Sequence, residues 1–259
     1  MSSTPPICDY EGSPYRTAFW NEERRYEDRA DRIALQRLLP PRGQRLVEIG
    51  AGFGRLAPLY TGYDRVILLD YSSSLLREAQ AHLGAEGQFS YVVANLYHLP
   101  LADESLDTAV TVRVLHHVKD LPSALAEIAR VLRRGGVYLT EYANKRNLKA
   151  ILRYTLHLQT DNPFSAKPYE FAPLNIDYHP RLMERLLNGV GLVPDERLAV
   201  STFRVGLVKR LVPAAVLAWL DAALQRPTAP LRLAPSMFVR ARRRSRLADA
   251  DAVSSSPSP

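Results

Sequence analysis

The chain has 259 residues and a formal charge of +7, from 34 Lys and Arg against 27 Asp and Glu, with arginine supplying nearly all of the positive side. Apolar residues make up 46%, enough for a sizeable core and for one α/β domain with insertions. A single cysteine, Cys8, excludes an intrachain disulfide and a cysteine-based zinc cluster.

The opening "MSSTPPICDY" has neither a basic region nor an apolar core of the kind that marks a secretory signal, and a cytoplasmic protein is expected. Residues 1–20 read as a Pro-rich arm carrying Tyr10, Tyr15, Phe19 and Trp20. Residues 22–38 follow a helical period through Tyr26, Ala30, Ile33, Ala34 and Leu38, and "PPRG" at 40–43 stops that helix.

Five short apolar runs come next: "RLVEI" (45–49), "RVILLD" (65–70), "SYVVA" (90–94), "DTAVTV" (107–112) and "GVYLTE" (136–141). Helical segments separate them, one at 72–83 behind a serine cap and one at 121–136 ended by a glycine pair. Strands this apolar, alternating with helices, predict a parallel sheet covered on both faces.

Beyond 141 the pattern changes. Residues 144–178 read as irregular, with Tyr154, Phe164, Tyr169, Phe171 and Tyr178 interleaved. A helix at 180–188 entered through His179, a strand near 192–203, an amphipathic helix at 208–224 and a last strand at 236–241 complete the reading. The helix at 208–224 is expected to bury Leu211, Val212, Ala215, Trp219 and Ala222 against its own domain as core or lid; a membrane-surface role is the lesser alternative. Its run at 211–220 is far short of the ~20 residues that span a bilayer. "RARRRSR" at 240–246 then leads into a tail, 242–259, that reads as a solvated, disordered terminus; the other reading of the arginines is a nucleic-acid or anionic-membrane patch.

The chemistry gathers in "VEIGAGFGRL" at 47–56. Glycines after the first strand of an open sheet let a ligand come close to the backbone. The spacing is G-x-G-x-G behind Glu48, which departs from the G-x-G-x-x-G of dinucleotide sites, and the phosphate-binding G-x-x-x-x-G-K-[ST] is absent. Asp70 closes the second strand, where a carboxylate can accept both hydroxyls of a ribose, a feature shared with NAD enzymes. "ANL" (94–96) ends the third strand, and the fourth runs into Arg113 and "LHH".

With these motifs in order, the sequence resembles class I S-adenosylmethionine-dependent methyltransferases, closest to the type 11 group that includes ubiquinone and menaquinone C-methyltransferases. The likeness is good over about residues 40–141. It implies a Rossmann-like, seven-stranded, mostly parallel sheet with helices on both faces and the last strand antiparallel. It also implies S-adenosyl-L-methionine as cofactor. Gly50, Ala51, Gly52 and Gly54 would carry its methionyl part and Glu48 its amino group. Asp70 would take the ribose, with Tyr71 beside the adenine, and Asn95 and Leu96 would meet the adenine edge. Asn95 stands where the family often has Asp. Arg113 either faces the cofactor carboxylate or forms a salt bridge on the strand end.

The resemblance further implies a methyltransferase acting on an O, C or N atom of a small molecule. The strand-four loop lacks the "[DN]-P-P-[YF]" run of amino methyltransferases for DNA bases or protein glutamine. An RNA or DNA methyltransferase using the arginine-rich tail and a non-catalytic cofactor-binding protein are the alternatives. His116 and Glu141 are the candidate catalytic side chains, and His117 is expected to be structural. The expected organisation is an arm and helix at 1–39 over the cofactor site, a methyltransferase domain at 40–241 and the tail at 242–259.

Overall fold

The computed structural model describes residues 5–8 and 10–245. Nine strands form in chain order: β1 Gly43–Ile49, β2 Tyr63–Asp70, β3 Phe89–Val93, β4 Leu106–Thr111, β5 Leu132–Ala143, β6 Tyr169–Ala172, β7 Asn175–Asp177, β8 Leu192–Val200 and β9 Ser236–Arg243. Seven of them make one sheet in the order β3-β2-β1-β4-β5-β9-β8, and β6 pairs only with β7. The β1, β2, β3, β4 and β5 pairings are parallel, whereas β9 runs antiparallel to both β5 and β8.

Alternation along the strands divides the core between two faces. In β2, Val66 and Leu68 turn to one face and Ile67 and Leu69 to the other. The first face is covered by α2 (Arg25–Leu38), α3 (Ser73–Leu83) and α8 (Ala214–Leu224), through Tyr26, Leu35, Leu76 and Leu217. The second is covered by α4 (Leu121–Val131) and α6 (Pro180–Gly189), through Leu125, Ile128, Met183 and Leu187. Two short helices, α1 (Tyr15–Phe19) and α7 (Gly206–Leu211), and α5 (Leu148–Thr155) complete the set.

The expected fold class is the observed one, but four segments differ from the reading. First, α4 stops at Val131, and Leu132–Gly136 open β5. Leu132 pairs with Leu106, the register slips before Thr108 meets Val137, and Gly135 takes φ +77° within that irregularity. The glycine pair thus serves a bulge rather than a helix end. Second, 144–178 is ordered: Asn147 caps α5 by accepting from the Ala150 N–H at 2.9 Å, and β6 and β7 form a hairpin through Leu174 at φ +53°.

Third, Pro213 splits 208–224 into α7 and α8 and resets the phase of the second helix. The faces change accordingly: Leu217, Ala218 and Asp221 are buried, while Leu211 and Trp219 are exposed. Fourth, β9 runs on to Arg243, so the arginines at 242 and 243 belong to the sheet. Arg240 and Arg242 both bond Asp195 at 2.8 Å, and Arg243 meets Glu104 at 3.1 Å. The rest of the expected tail, from 246, lies outside the described residues.

The chain leaves β1 outward to β2 and β3, then returns to β4 on the other side. This switch point opens a crevice at the carboxyl ends of β1 and β4, where ligands of such sheets bind.

Candidate cofactor and acceptor site

The loop after β1 turns back through three left-handed glycines, Gly50, Gly52 and Gly54, at φ +75°, +53° and +75°. At two of them close approach adds to the backbone demand: a Cβ on Gly50 would run into the Val114 side chain, and one on Gly54 would come within 2.7 Å of Leu83 Cδ1. Asp70 ties this loop to the next. Its Oδ2 accepts from the Gly52 N–H at 2.8 Å and its Oδ1 from the Ser72 N–H at 2.9 Å. Burial pushes its carboxyl up from the ordinary value, against the pull of those N–H groups.

A cleft opens here. Gly50, Gly52, Asp70 and Tyr71 line one side, Asn95, Leu96, Arg113 and Val114 another. Asn95 Oδ1 accepts from the Tyr97 N–H at 2.9 Å, which turns the loop after β3 into the cleft. Ile7, Cys8, Tyr10 and Tyr15 of the arm close it from above. The arm is held in place by the Tyr10 N–H on the Tyr71 hydroxyl, the Gly12 N–H on Ser74 Oγ at 2.9 Å and Arg16 on Glu78 at 3.0 Å.

Glu48 and Ala51 line a smaller adjoining cleft with Trp20, Phe53 and Arg55. Glu48 is buried; among the described residues neither its Oε2 nor the Tyr60 hydroxyl beside it has a well-formed hydrogen bond, and the two groups interact. Burial pushes the Glu48 carboxyl up to about 8, with Arg55 opposing. A buried carboxylate oxygen without a well-formed bond is costly unless a donor reaches it. Facing a bare glycine loop, Glu48 fits the ammonium of an amino-acid cofactor, and Asp70 at the next strand end fits a ribose.

The remaining candidates fall differently. Arg113, itself left-handed at φ +63°, places its guanidinium on Asp31 through two bonds of 3.1 and 3.0 Å. Of its two expected roles, the structure has the salt bridge. Glu141 does not line the cleft: it is buried, with Oε1 accepting from Ser236 Oγ at 2.6 Å and Oε2 from the Arg113 N–H at 3.0 Å. Both oxygens hold the ends of β4, β5 and β9 together. His117 lines the cleft, whereas His116 does not and lies against the His117 ring at 3.9 Å between centroids. The turn Leu115–His117 is a 3-10 helix.

Asp31, Arg55, Tyr10 and Tyr15 were missed as site residues. Arg55 bonds Asp28 at 2.6 Å and approaches Asp31 at 3.4 Å, so α2 and the glycine loop share one ion-pair network beneath the cleft. In the sequence only the aromatic content of the arm hinted at this.

The methyltransferase-domain family model matches residues 47–140. An O-methyltransferase of Aspergillus sclerotiorum is 38% identical over 113 residues, covering 42% of this chain and 43% of that protein. A ubiquinone/menaquinone biosynthesis C-methyltransferase of Haemophilus ducreyi is 34% identical over 102 residues, covering 37% and 39%. Over residues 47–140 the chain is similar to methyltransferase domains. A solved S-adenosylmethionine-dependent methyltransferase structure from Listeria monocytogenes, described as putative, shares the fold, with TM-score 0.62 at 14% identity over 85% of this chain and 99% of that one. The chain spans about two fifths of the length of the two curated relatives, and the methyltransferase match ends with β5. Residues 144–245, which carry α5 to α8 and the β6–β7 hairpin, lie beyond that match.

Proposed function

We propose that this chain transfers a methyl group from S-adenosyl-L-methionine to an O, C or N atom of a small molecule. The observation that carries this reading is the left-handed Gly50–Gly54 loop with two buried carboxylates at its strand ends, Glu48 before it and Asp70 on the next strand. When bound, the cofactor supplies an electrophilic methyl group on its sulfonium, which leaves by in-line displacement.

The protein's part is to hold, orient and exclude water. Glu48, ionised, accepts from the ammonium. Asp70 keeps lone pairs for the ribose hydroxyls, and Asn95 and Leu96 meet the adenine edge beside Tyr71. Gly50, Ala51 and Gly52 form the floor, and Gly54 packs beneath them on Leu83 and Ala79 of α3. Arg113 acts from behind, keeping α2 and the arm against the cleft. The arm and α2, residues up to 39, cover the site, and the β6–β7 hairpin and α5 form its acceptor side.

Where the acceptor atom starts protonated, His117 is placed to take the proton. Its Nδ1 lies 2.6 Å from the Leu174 carbonyl oxygen, which can only accept, so Nδ1 carries the ring proton. Nε2 is left as an acceptor, and the Tyr10 hydroxyl donates to it at 2.9 Å. Burial lowers the pKa of this imidazole and favours the neutral ring. A displaced Tyr10 hydroxyl would leave Nε2 as a base facing the cleft.

Among the described residues no helix is long and apolar enough to cross a membrane. A single cysteine suits a reducing compartment, and we place the protein in the cytoplasm. The test is calorimetric titration with S-adenosylhomocysteine and with NAD. Binding of the first and not the second is expected; tight NAD binding with no response to the first would overturn the reading.

A further inference from the structure

The outer face of α8 is built against the usual rule for a surface helix. Its sequence "AAVLAWLDAAL" holds one charged residue, Asp221, and that residue is buried, accepting from the Tyr26 hydroxyl at 3.0 Å. With Leu217, Ala218 and Asp221 turned inward against α2, the outward side is left to Val216, Trp219 and Leu220. Trp219 is 69% exposed, and from α7 Leu207 and Leu211 stand out at 66% and 73%. A helix with a wet face normally carries charge there. Clustered apolar exposure of this kind marks a surface that meets another phase or partner.

The rim of the patch is basic. Arg29 and Arg37, two turns apart on α2, are exposed on the helix that packs on α8. Arg37 reaches across to α8, donating to the Ala222 carbonyl and to Gln225 Oε1. Lys209 and Arg210 sit at the end of α7, the former bonded to Glu27 at 2.8 Å. Apolar side chains with an indole among them, bordered by Lys and Arg, make the pattern of an interfacial helix. A second copy of this chain seated on the patch would bring another protein of net charge +7 against it. An anionic surface meets no such repulsion.

We propose that α7 and the outer face of α8 dock on an anionic lipid bilayer. Trp219, Leu211 and Leu207 enter the headgroup region, while Arg29, Arg37 and Arg210 meet the lipid phosphates. The docked face adjoins the site: the Phe203 N–H, just before α7, donates to the Tyr26 hydroxyl at 3.0 Å, and Tyr26 stands in the first turn of α2, which the arm over the cleft leads into.

The test uses the full chain with vesicles of phosphatidylcholine alone and of phosphatidylcholine mixed equally with phosphatidylglycerol. The chain has two tryptophans, so Trp20→Phe leaves Trp219 as the only reporter. Co-sedimentation with the anionic vesicles and a blue shift of the remaining indole are expected, both weakened by salt. Leu211→Glu and Leu207→Glu, at exposed positions that leave the core untouched, should each reduce co-sedimentation at least tenfold with an unchanged circular dichroism spectrum. A chain cut after Ser245 should bind as the full chain does. Failure to bind, equal binding to neutral vesicles, or loss of binding on that truncation would overturn the proposal. So would a dimer in light scattering that Leu211→Glu abolishes while vesicle binding persists.

Discussion

Glu48 carries a cost in the protein without ligand, and that cost has a pH signature. Its carboxyl sits at about 8 in the folded chain against an ordinary 4.5. Between those values the folded state keeps a proton that the unfolded state has lost, so stability falls as pH rises through that window and levels off above it. Glu48→Gln should flatten this slope and raise Tm toward the upper end of the window, while weakening S-adenosylhomocysteine at least tenfold. The wild-type affinity for the same ligand should rise with pH up to about 8, because the ammonium needs the carboxylate form. Thermal scans and titrations across the window check both. Asp70→Asn sets an amide NH2 against one of the two N–H groups that Asp70 accepts from and removes the charge that strengthens its bonds, and a loss of at least about 1.5–3 kcal/mol in binding is expected by titration. A different network holds Asp31, which is fully buried and paired with Arg113. Asp31→Ala leaves that guanidinium buried without its main partner and should cost about 3–5 kcal/mol in urea unfolding. Removing Arg113 as well should cost less than the sum of the two single changes. Glu48 and Asp70 were legible in the sequence because a strand end fixes their place. Asp31 was not, because it joins the site from a helix separated from it by the whole of β1, and no local pattern records that distance.

At the scale of elements, the parallel core was readable because each strand of it is a short apolar run. The misread segments are those where one residue changes the phase of its successors. Gly135 turns a helix end into a bulge, and Pro213 rotates α8 so that Trp219 faces outward. The arm is the element whose function depends most on packing. Tyr10 offers the cleft an aromatic wall and gives His117 a hydroxyl, and these two contributions can be separated. Tyr10→Phe keeps the wall and should leave S-adenosylhomocysteine affinity within about threefold, a difference below the ~1.4 kcal/mol that a tenfold change represents. Tyr10→Ala opens the cleft to water and should weaken binding about tenfold or more, by roughly the ~1.5–3 kcal/mol of one buried apolar side chain. Equal behaviour of the two variants in titration would show that the arm closes the cleft without Tyr10.

For the molecule as a whole, the question is where the domain ends and what its arginines serve. Composition alone placed the boundary after Ala241, because a run of arginines followed by Ser, Pro, Ala and Asp reads as tail. The sheet extends two residues further. Arg242 pairs with Val137 of β5 and Val193 of β8, and Arg243 pairs with Leu192. Their side chains carry ion pairs to Asp195 and Glu104, the second bringing β9 to the loop before β4. Arginines committed in this way are poor candidates for a nucleic-acid clamp, since each phosphate contact would have to break an existing bond. Two truncations divide the possibilities. A chain cut after Ser245 should keep its Tm, its cofactor affinity and its lack of salt-sensitive RNA or DNA retention. A chain cut after Ala241 loses the last ladder bonds of β9 and the two ion pairs, and its Tm should fall by several degrees, in line with ~4 °C or less per kcal/mol for a domain of this size. The cofactor cleft lies at the opposite ends of β1 and β4, so affinity measured well below the transition should be the same in both. Salt-dependent nucleic-acid binding by the full chain that disappears on cutting after Ser245 would instead assign Arg246, the one arginine this cut removes, to a polyanionic partner.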